Sequence, residues 1–361
     1  MKLSVIDASE LDASLTERWK HIQGGCQTLR SPFYCPEFTK LVAGTGRVVR
    51  VAIVESDGVI KGFFPHERDS WGRLKPVGGS LNDYHGLIAG SCPELEASPL
   101  LKACGAIYFG FNHVPLTQAV FSPHVRFHSA SPVMELQGGW DAYVRRLAAV
   151  QNTEAPGILS TIRASSRRIE RDIGPLRFEM HERSSGILER LMQIKSGQWT
   201  RTVGSSHDPF SVPWIRQLLV NCFETERTDF RGCLSSLYGG DKLIACHFGL
   251  RTAGTLHYWF PVYDPAYARY QPGLILLKSI AESGCSEGLD LIDLGRGTAQ
   301  YKMRFKTQAI ALGEGAVSRP TVIAQAAMTA KAARIALKTN PVAVRLRHWL
   351  VSRRNRVNDG I

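Results

Sequence analysis

Four residues between positions 257 and 302 have side chains that could take part in a transfer reaction. They flank strand-like runs or follow a glycine-containing loop: His257, Asp264, Asp293 and Lys302. A histidine beside a cleft can act as a general base near neutral pH. A lysine can stabilise a developing oxyanion, or act as a base if burial lowers its pKa. A carboxylate at a strand end, such as Asp293, could orient a substrate hydroxyl. The alternative is a structural set: a hydrogen-bonded strand histidine, carboxylates that cap loops, and a solvated lysine.

Strand alternation predicts which neighbours share a face with the histidine. In the run 255–263, successive side chains point to opposite faces of a sheet. One predicted face carries His257, Trp259 and Pro261, and the other carries Tyr258, Phe260 and Val262. A second histidine, His247, lies one predicted strand earlier and could share the face of His257.

The segment 234–308 contains the elements that must position these residues. Gly239–Gly240–Asp241 predicts a hairpin between two strands. Tyr270–Gly273 ends the extended run and opens a helix, with a proline in the first turn where its missing N–H costs nothing. The run 289–294 predicts a buried strand that ends in Gly295–Arg296–Gly297. A strand that leads through such a loop into a helix N-terminus exposes N–H groups that bind phosphate or another anion.

Two further groups are candidate contacts for a substrate. Lys195 and Trp199 are four residues apart and share a helix face. They could contact an acceptor, with a sugar stacked on the indole, or they could be core packing with a lysine that reaches to solvent. Asp83, Tyr84 and His85 form a polar cluster that could line a cleft, or could simply form a turn.

Composition limits the class of protein. The 361 residues are enough for two domains, and 44% hydrophobic with 21% charged residues is typical of soluble globular proteins. No run is long enough to span a membrane, and the first residues lack the apolar region of a signal peptide. None of the eight cysteines forms a CxxC pair, which favours free thiols in the cytoplasm and no zinc site.

The net charge of +12 is uneven along the chain. Residues 321–361 hold eight Lys or Arg residues and one Asp, so most of the excess positive charge lies in this tail. The tail is predicted to be a basic amphipathic helix, which could lie on anionic lipid or dock on the body. A second cationic helix face, formed by arginines between 163 and 171, could meet an anionic acceptor, donor phosphates or a membrane, or could be a solvated face.

The order of predicted elements suggests a duplication. A strand–turn–strand unit near 51–65 resembles the one near 235–250, and both halves begin with helices before a β-meander. The predicted fold class is α/β (α+β), with two tandem halves that each hold a mixed, mostly antiparallel sheet flanked by helices. The predicted boundaries are 1–139, 140–318 and a tail of 319–361.

Residues 140–310 resemble the polysaccharide-associated members of the GNAT acetyltransferase superfamily, the CelD/BcsL-like group, which is related to the Fem aminoacyltransferases. The resemblance lies in the order of several pieces: the arginine-rich helix before LRFE, Lys195 with Gln198–Trp199, IACHFGL, HYWFPVYDPAYARYQPGLILL, DLG and YKMRF. It implies that both halves are GNAT-like.

The resemblance also implies roles for particular residues. The pyrophosphate of the donor is expected on backbone amides at a helix start, here at Tyr270, Gln271, Gly273 and Leu274. The family signature Q/R-x-x-G-x-G/A is only partly met, because Tyr270 stands where Gln or Arg is expected and Ile275 where a small residue is expected. Tyr301 and Lys302 match the YK-x-x-F element, and a lysine in a comparable place contacts the reacting end of the donor in the Fem enzymes.

The implied function is transfer of an acyl group, expected to be acetyl, from acyl-CoA to an amine or hydroxyl of a sugar or glycolipid precursor of a cell-surface polysaccharide such as cellulose. Attack on the thioester would be direct, since no Cys–His or Ser–His pair stands out, and no metal is expected. The expected location is the cytoplasm, or the inner face of the membrane through the tail. Two alternatives stay open: a Fem-like transferase that uses aminoacyl-tRNA, and a non-catalytic binding or scaffold module.

Overall fold

The computed structural model describes residues 1–90, 95–154, 156–202 and 208–319. The strands are β1 Lys2–Asp7, β2 Val49–Ser56, β3 Val59–Arg68, β4 Arg73–Lys75, β5 Ile88–Ala89, β6 Tyr108–Pro115, β7 Val125–Glu135, β8 Leu176–Glu179, β9 Arg231–Gly239, β10 Lys242–Arg251, β11 Thr255–Tyr263, β12 Leu291–Asp293 and β13 Gln308–Ser318. The helices are α1 Ala13–Gly24, α2 Pro36–Ala43, α3 Ala97–Ala103, α4 Trp140–Val150, α5 Gly157–Asp172, α6 Ser185–Thr202, α7 Pro213–Glu224, α8 Pro272–Ser286 and α9 Gln300–Phe305.

Within the described ranges, the strands form one continuous sheet. Its order is β1-β2-β3-β4-β6-β13-β7-β12-β11-β10-β9-β8, with β5 paired to β3. Two of the pairs in this order, β4–β6 and β11–β12, are parallel, and the others are antiparallel. Strand β13 comes last along the chain but lies between β6 and β7, so it joins the sheet of the second half to that of the first.

Local sequence explains where several elements turn or begin. Asp57 and Gly58 both have positive φ and connect β2 to β3, as a tight hairpin turn requires. Prolines in the first turn open α2, α7 and α8, where their fixed φ fits and no N–H is wasted. The Asp12 side chain accepts a hydrogen bond from the Leu15 N–H and caps α1.

Three buried apolar clusters hold the helices on the sheet. One joins α1 and α2 of the first half to α6 and α7 of the second, with Trp19 stacked on Phe63 at its centre. A second packs α4, α5 and α8 against β10–β12, and a third packs α3 against β2, β3 and β6. Because the first cluster contains residues from both halves, the two halves share part of their core.

The predicted fold class is confirmed: the protein is a mixed α/β structure in which helices flank a mixed, mostly antiparallel sheet. The division at residue 139 stays a prediction, and this position falls in the short connection between β7 and α4. The predicted basic tail lies, apart from Arg319, outside the described residues. The seven cysteines that the structure describes are free thiols. No helix in the described part of the chain is long and apolar enough to cross a bilayer.

Candidate functional site

The candidate site lies where two parallel strands separate. β11 pairs with β12 only from Thr255 to His257, and the last pair is His257 with Asp293. Beyond that pair β11 runs on to Tyr263, while the chain after β12 turns away at Gly295, which has φ +74°. A cavity of about 290 Å³ opens between the diverging segments. Its lining comes from both halves of the chain: Asp83, His113, Lys195, Tyr258, Trp259, Pro261, Leu294, Gly295, Arg296, Tyr301 and Lys302.

A β-bulge re-aims the side chains of β11 beside this cavity. Gly249 of β10 lies opposite two residues of β11, Tyr258 and Trp259, between the pairs Phe248–Phe260 and Leu250–His257. A Cβ atom on Gly249 would collide with the carbonyl oxygen of His257, so glycine is required there.

Because of the bulge, the side chains of β11 do not alternate between the two faces of the sheet in the predicted way. Tyr258 packs in the cluster of α4, α5 and α8, whereas Phe260 and Val262 pack on the other side with α6 and α7. The prediction that these three share a face was therefore wrong, because the extra residue reverses the alternation. His247 stacks on the Tyr258 ring, with 4.3 Å between centroids. It is fully buried, and burial lowers its pKa to about 3.

His257 lies between two carboxylates that come from distant parts of the chain. Its Nε2 is 2.9 Å from Oδ2 of Asp83, and its Nδ1 is 3.8 Å from Oδ1 of Asp293. Asp293 is held by donors on three sides, from the Tyr84 hydroxyl, the Ser131 hydroxyl and the Gly295 N–H. The His257 ring is thus oriented by the Nε2 contact with Asp83, while its buried Nδ1 makes no hydrogen bond.

Asp83 is the member of this group that reaches the cavity. Its side chain is 24% exposed, whereas His257 is fully buried. Burial alone would raise the pKa of Asp83, but the hydrogen bond with His257 and the nearby His113 together lower it below its usual value. The Nε2 atom of His113 is 3.5 Å from Oδ1 of Asp83, and burial lowers the pKa of His113 to about 4. Asp83 is therefore a charged carboxylate between two imidazoles.

Two lysines face Asp83 across the cavity. Lys302 donates to the carbonyl oxygens of Gly295 and Arg296 at 2.9 and 3.1 Å. Burial lowers the pKa of Lys302, an effect that the charges of Asp83 and Asp293 partly oppose. Lys195 of α6 donates to the carbonyl oxygen of Pro261 at 3.1 Å. Burial, with the charge of Lys302, lowers the pKa of Lys195 to about 8.

Gly295 marks the centre of the site. A Cβ atom built on it would lie 3.5 Å from Oδ2 of Asp83, 3.5 Å from Nζ of Lys302 and 3.8 Å from Nε2 of His257. These three polar groups therefore converge on one point, and only a residue without a side chain leaves that point open to a substrate.

The structure brings six predicted residues into or against this site: Asp83, Lys195, His257, Asp293, Tyr301 and Lys302. Tyr84 lies behind it, with its hydroxyl on Asp293, and His85 is buried with Nε2 on the Asn82 carbonyl oxygen. The remaining substrate candidates lie elsewhere. Asp264 caps the turn after β11 and forms an ion pair with Arg190, and the half-exposed Trp199 is not among the cavity residues.

The predicted phosphate loop lies beyond the far end of β11. Tyr270 is buried, and its hydroxyl donates to Asp172 at 3.1 Å. Gln271 has φ +52° and precedes α8 without a side-chain cap, and a Cβ atom built on Gly273 would lie 3.8 Å from Cδ1 of Tyr263. None of Tyr270, Gln271, Gly273 and Leu274 is among the residues that line the cavity. The loop adjoins the last residue of β11, and the cavity wall ends two residues earlier at Pro261.

Sequence reasoning missed two residues that line the site. His113 lies on β6, far from any motif, and Arg296 appeared only as a loop residue. Only the pairing of β6 with β13 could have placed His113 near the second half, and no local pattern encodes that pairing. Among the described residues, no cluster of three or more His, Cys, Asp or Glu has the arrangement of a metal site.

A family model of the acetyltransferase (GNAT) domain matches residues 158–303. The matched part contains β11, β12, α8 and most of α9, and it includes Lys195, His257 and Lys302 but not Asp83. This match supports an acyltransferase. No curated protein matches the sequence.

Solved structures share the fold of nearly the whole chain. FemX superposes with a TM-score of 0.56 at 9% identity, covering 88% of this chain and 96% of FemX. The C-terminal domain (DUF2156) of a putative lysylphosphatidylglycerol synthetase from Agrobacterium fabrum superposes with a TM-score of 0.50 at 14% identity, covering 87% and 94%. At these identities the similarity concerns the fold alone.

Proposed function

We propose that the protein transfers an acyl group, acetyl in the simplest case, from acyl-CoA to an amine or hydroxyl of a sugar or glycolipid precursor of a cell-surface polysaccharide, as in the CelD/BcsL-like group. The observation that carries this proposal is the cavity between β11 and β12, where Asp83, His257 and Lys302 converge on Gly295. A carboxylate base and an ammonium group on either side of one open point are what direct acyl transfer needs.

Asp83 is the proposed general base. It lines the cavity, and its hydrogen bond with His257 fixes the carboxylate. As the acceptor N–H or O–H attacks the thioester carbon, its proton passes to Asp83 and the new C–N or C–O bond forms. The C–S bond then breaks, and the leaving thiolate takes the proton from Asp83.

Lys302 is the proposed oxyanion donor. Two of the three N–H groups of its ammonium are used on the Gly295 and Arg296 carbonyl oxygens, which leaves one for the carbonyl oxygen of the donor. Because Lys302 is held in place before the reaction, no free energy is needed to reorient it when negative charge develops on the carbonyl oxygen of the donor. Lys195 adds positive charge on the same side.

The donor is proposed to lie along β11 toward α8. Gly273 lies beside Tyr263, and strand geometry places Tyr263 about 6–7 Å beyond Pro261 of the cavity wall. The first N–H groups of a helix have no intrahelical partner and favour phosphate. The start of α8, with Gln271, Gly273 and Leu274, is the proposed pyrophosphate site. Since the N–H groups of Gln271 and Leu274 donate to the carbonyl oxygens of Ala268 and Gln271, the proposed contact is made mainly by the N–H of Gly273. The proposed location is the cytoplasm, with the tail 319–361 at the inner face of the membrane.

Aminoacyl transfer from aminoacyl-tRNA is the second candidate. The fold similarity to FemX over nearly the whole chain favours it, together with three exposed arginines at four-residue spacing on α5: Arg163, Arg167 and Arg171. The C-terminal end of α5 contacts the turn before α8 through Asp172 and Tyr270, so Arg171, next to Asp172, adjoins the proposed phosphate site. A non-catalytic binding module is the third possibility.

Thermal unfolding with candidate donors tests the proposal. A ligand at 100 times its Kd stabilises the native state by about 2.7 kcal/mol and raises the melting temperature. We expect acetyl-CoA to raise it in the wild type and in Asp83→Asn, which keeps the donor site but lacks the base. A rise with aminoacyl-tRNA alone would select the second candidate. No rise with either, together with no thiol release from acetyl-CoA, would select the non-catalytic module.

A further inference from the structure

A second cavity adjoins the reactive one. It has a volume of about 410 Å³, and Arg296 lines both. We call this second cavity the outer groove. It lies between β7, the loop after β12, α9 and β13, and the residues that decide its chemistry are Phe127, Arg296, Met303, Lys306 and Glu314. None of these residues belongs to the proposed catalytic group, so the outer groove needs an explanation of its own.

Two large apolar side chains in the outer groove are open to solvent. Phe127 of β7 is 41% exposed and Met303 of α9 is 42% exposed. Single exposed apolar residues are common, but apolar side chains from two separate elements that line one concave surface mark a ligand or partner site. Aromatic and thioether groups also adapt well to an apolar ligand. The groove therefore offers an apolar surface that the fold itself does not cover.

The charged groups of the outer groove favour an anion. Arg296 and Lys306 contribute two positive charges, and Glu314, whose Oε2 is 3.7 Å from Nη1 of Arg296, contributes one negative charge. The same Nη1 donates to the Asn112 carbonyl oxygen at 2.9 Å. Since a guanidinium has five N–H donors, Arg296 keeps donors for a phosphate or carboxylate.

The small volume of the reactive cavity indicates that a bound acceptor would extend into the outer groove. A cavity of about 290 Å³ is at the lower end of the range for small-molecule sites, and it must already hold the reacting carbonyl and nucleophile. A larger acceptor has to continue past Arg296, and the outer groove begins there.

We propose that the outer groove binds the acceptor and that the acceptor is an anionic amphiphile. Its phosphate or carboxylate lies at Arg296 and Lys306, and its apolar segment lies on Phe127 and Met303. That the bound amphiphile is the acceptor rests on the proposed acyl transfer. That the outer groove binds an anionic amphiphile is independent of the proposed acyl transfer.

Calorimetric titration of the full chain with dodecyl phosphate, below its micelle concentration, tests the proposal. We expect saturable binding that weakens at least about tenfold in Arg296→Gln, from the lost charge-assisted hydrogen bonds, and in Phe127→Ser, from the lost apolar contact. The matched controls are an exposed arginine that also pairs with a glutamate and an exposed apolar residue elsewhere, Arg183→Gln and Val59→Ser, and both should bind as the wild type does.

Each alternative result decides a separate part of the proposal. Equal affinity for dodecyl maltoside would overturn the anionic requirement, and equal affinity for inorganic phosphate would overturn the apolar one. Equal losses in the control variants, or none in the groove variants, would overturn the location. If the groove variants lose dodecyl phosphate while acetyl-CoA neither raises the melting temperature nor releases thiol, the outer groove stands as an amphiphile site and the proposed transfer from acyl-CoA fails.

Discussion

Replacing Gly295 by alanine separates the proposed chemistry from the stability of the fold. Gly295 has φ +74°, a conformation that costs a residue with a side chain about 1–2 kcal/mol. Alanine also reduces the conformational freedom of the unfolded chain, which raises the free energy of unfolding by about 0.4–1 kcal/mol. The new methyl would sit 3.5 Å from both Asp83 Oδ2 and Lys302 Nζ, which is ordinary contact and no clash. The net cost in unfolding free energy is therefore about 1 kcal/mol.

The effect on transfer should be far larger than the effect on stability. The methyl would occupy the point on which Asp83, His257 and Lys302 converge, so the acceptor and the donor carbonyl could not both reach it. Displacement of reacting groups by about 1 Å costs roughly 100-fold in rate. We expect Gly295→Ala to lose at least that much activity, while its melting temperature falls by only about 1–2 °C for a chain of this size.

Gly288→Ala is the matched control. Gly288 has φ +75°, almost the same as Gly295, but a Cβ atom there would meet no atom within 4 Å. The two variants should therefore melt at similar temperatures and differ in the release of thiol from acetyl-CoA when acceptor is present. If Gly295→Ala transferred as fast as Gly288→Ala, the reaction would not take place at Gly295 and the assigned roles of Asp83 and Lys302 would be wrong.

Three further predictions concern charge and pH. Asp83→Asn should lower the transfer rate by about 100- to 10,000-fold at an unchanged melting temperature, because it removes the base but keeps a side-chain oxygen for His257. Lys195 should react with an acylating reagent with a midpoint near pH 8, measured by mass spectrometry, since burial lowers its pKa to about 8. Burial lowers the pKa of His66 to about 4. As the pH drops below about 6.5, the unfolded chain therefore binds a proton at His66 before the folded chain does, and the free energy of unfolding falls. The contribution of His66 to this loss at pH 5 is roughly 2 kcal/mol, so His66→Gln should reduce the loss seen in urea unfolding curves by about that amount, while the buried His113 and His247 keep their own contributions.

The sequence predicted those elements that local patterns determine. The strand after the Gly239–Asp241 turn, the strand ending at Tyr263 and the helix opening at Pro272 are all observed. Each is bounded by a turn or a proline within a few residues, so nearest-neighbour chemistry decides where it begins and ends.

Elements that depend on distant partners were not predictable in this way. The helix start predicted after the Gly295–Gly297 loop is observed as α9, but the strand β13 that follows at Gln308 was not predicted. That strand pairs with β6 and β7, which are both distant along the chain, and no pattern in 308–318 reveals these partners. The bulge at Tyr258 likewise depends on Gly249 of the neighbouring strand.

In the candidate site, too, single residues could be identified from the sequence, but their spatial arrangement could not. Asp293 was identified because it ends a predicted strand, where chains commonly place functional groups. His257 was identified because an imidazole can act as a base near neutral pH, and Lys302 because it matches the YK-x-x-F element. Asp83 was identified within a polar cluster with Tyr84 and His85, but the three turn out to have different surroundings. Only Asp83 lines the cavity, whereas Tyr84 donates to Asp293 from behind it.

The pairing of Asp83 with His257 shows why both halves are needed. The two residues are 174 positions apart and come from different halves, and the connection between them is the shared sheet and the shared core. The second half alone would keep the cavity walls from β11 and α9 but would leave His257 without its hydrogen-bonded carboxylate. A buried imidazole that loses its partner is unfavourable. The matched GNAT region, residues 158–303, therefore contains the donor side of the proposed chemistry but lacks its base, which the first half supplies.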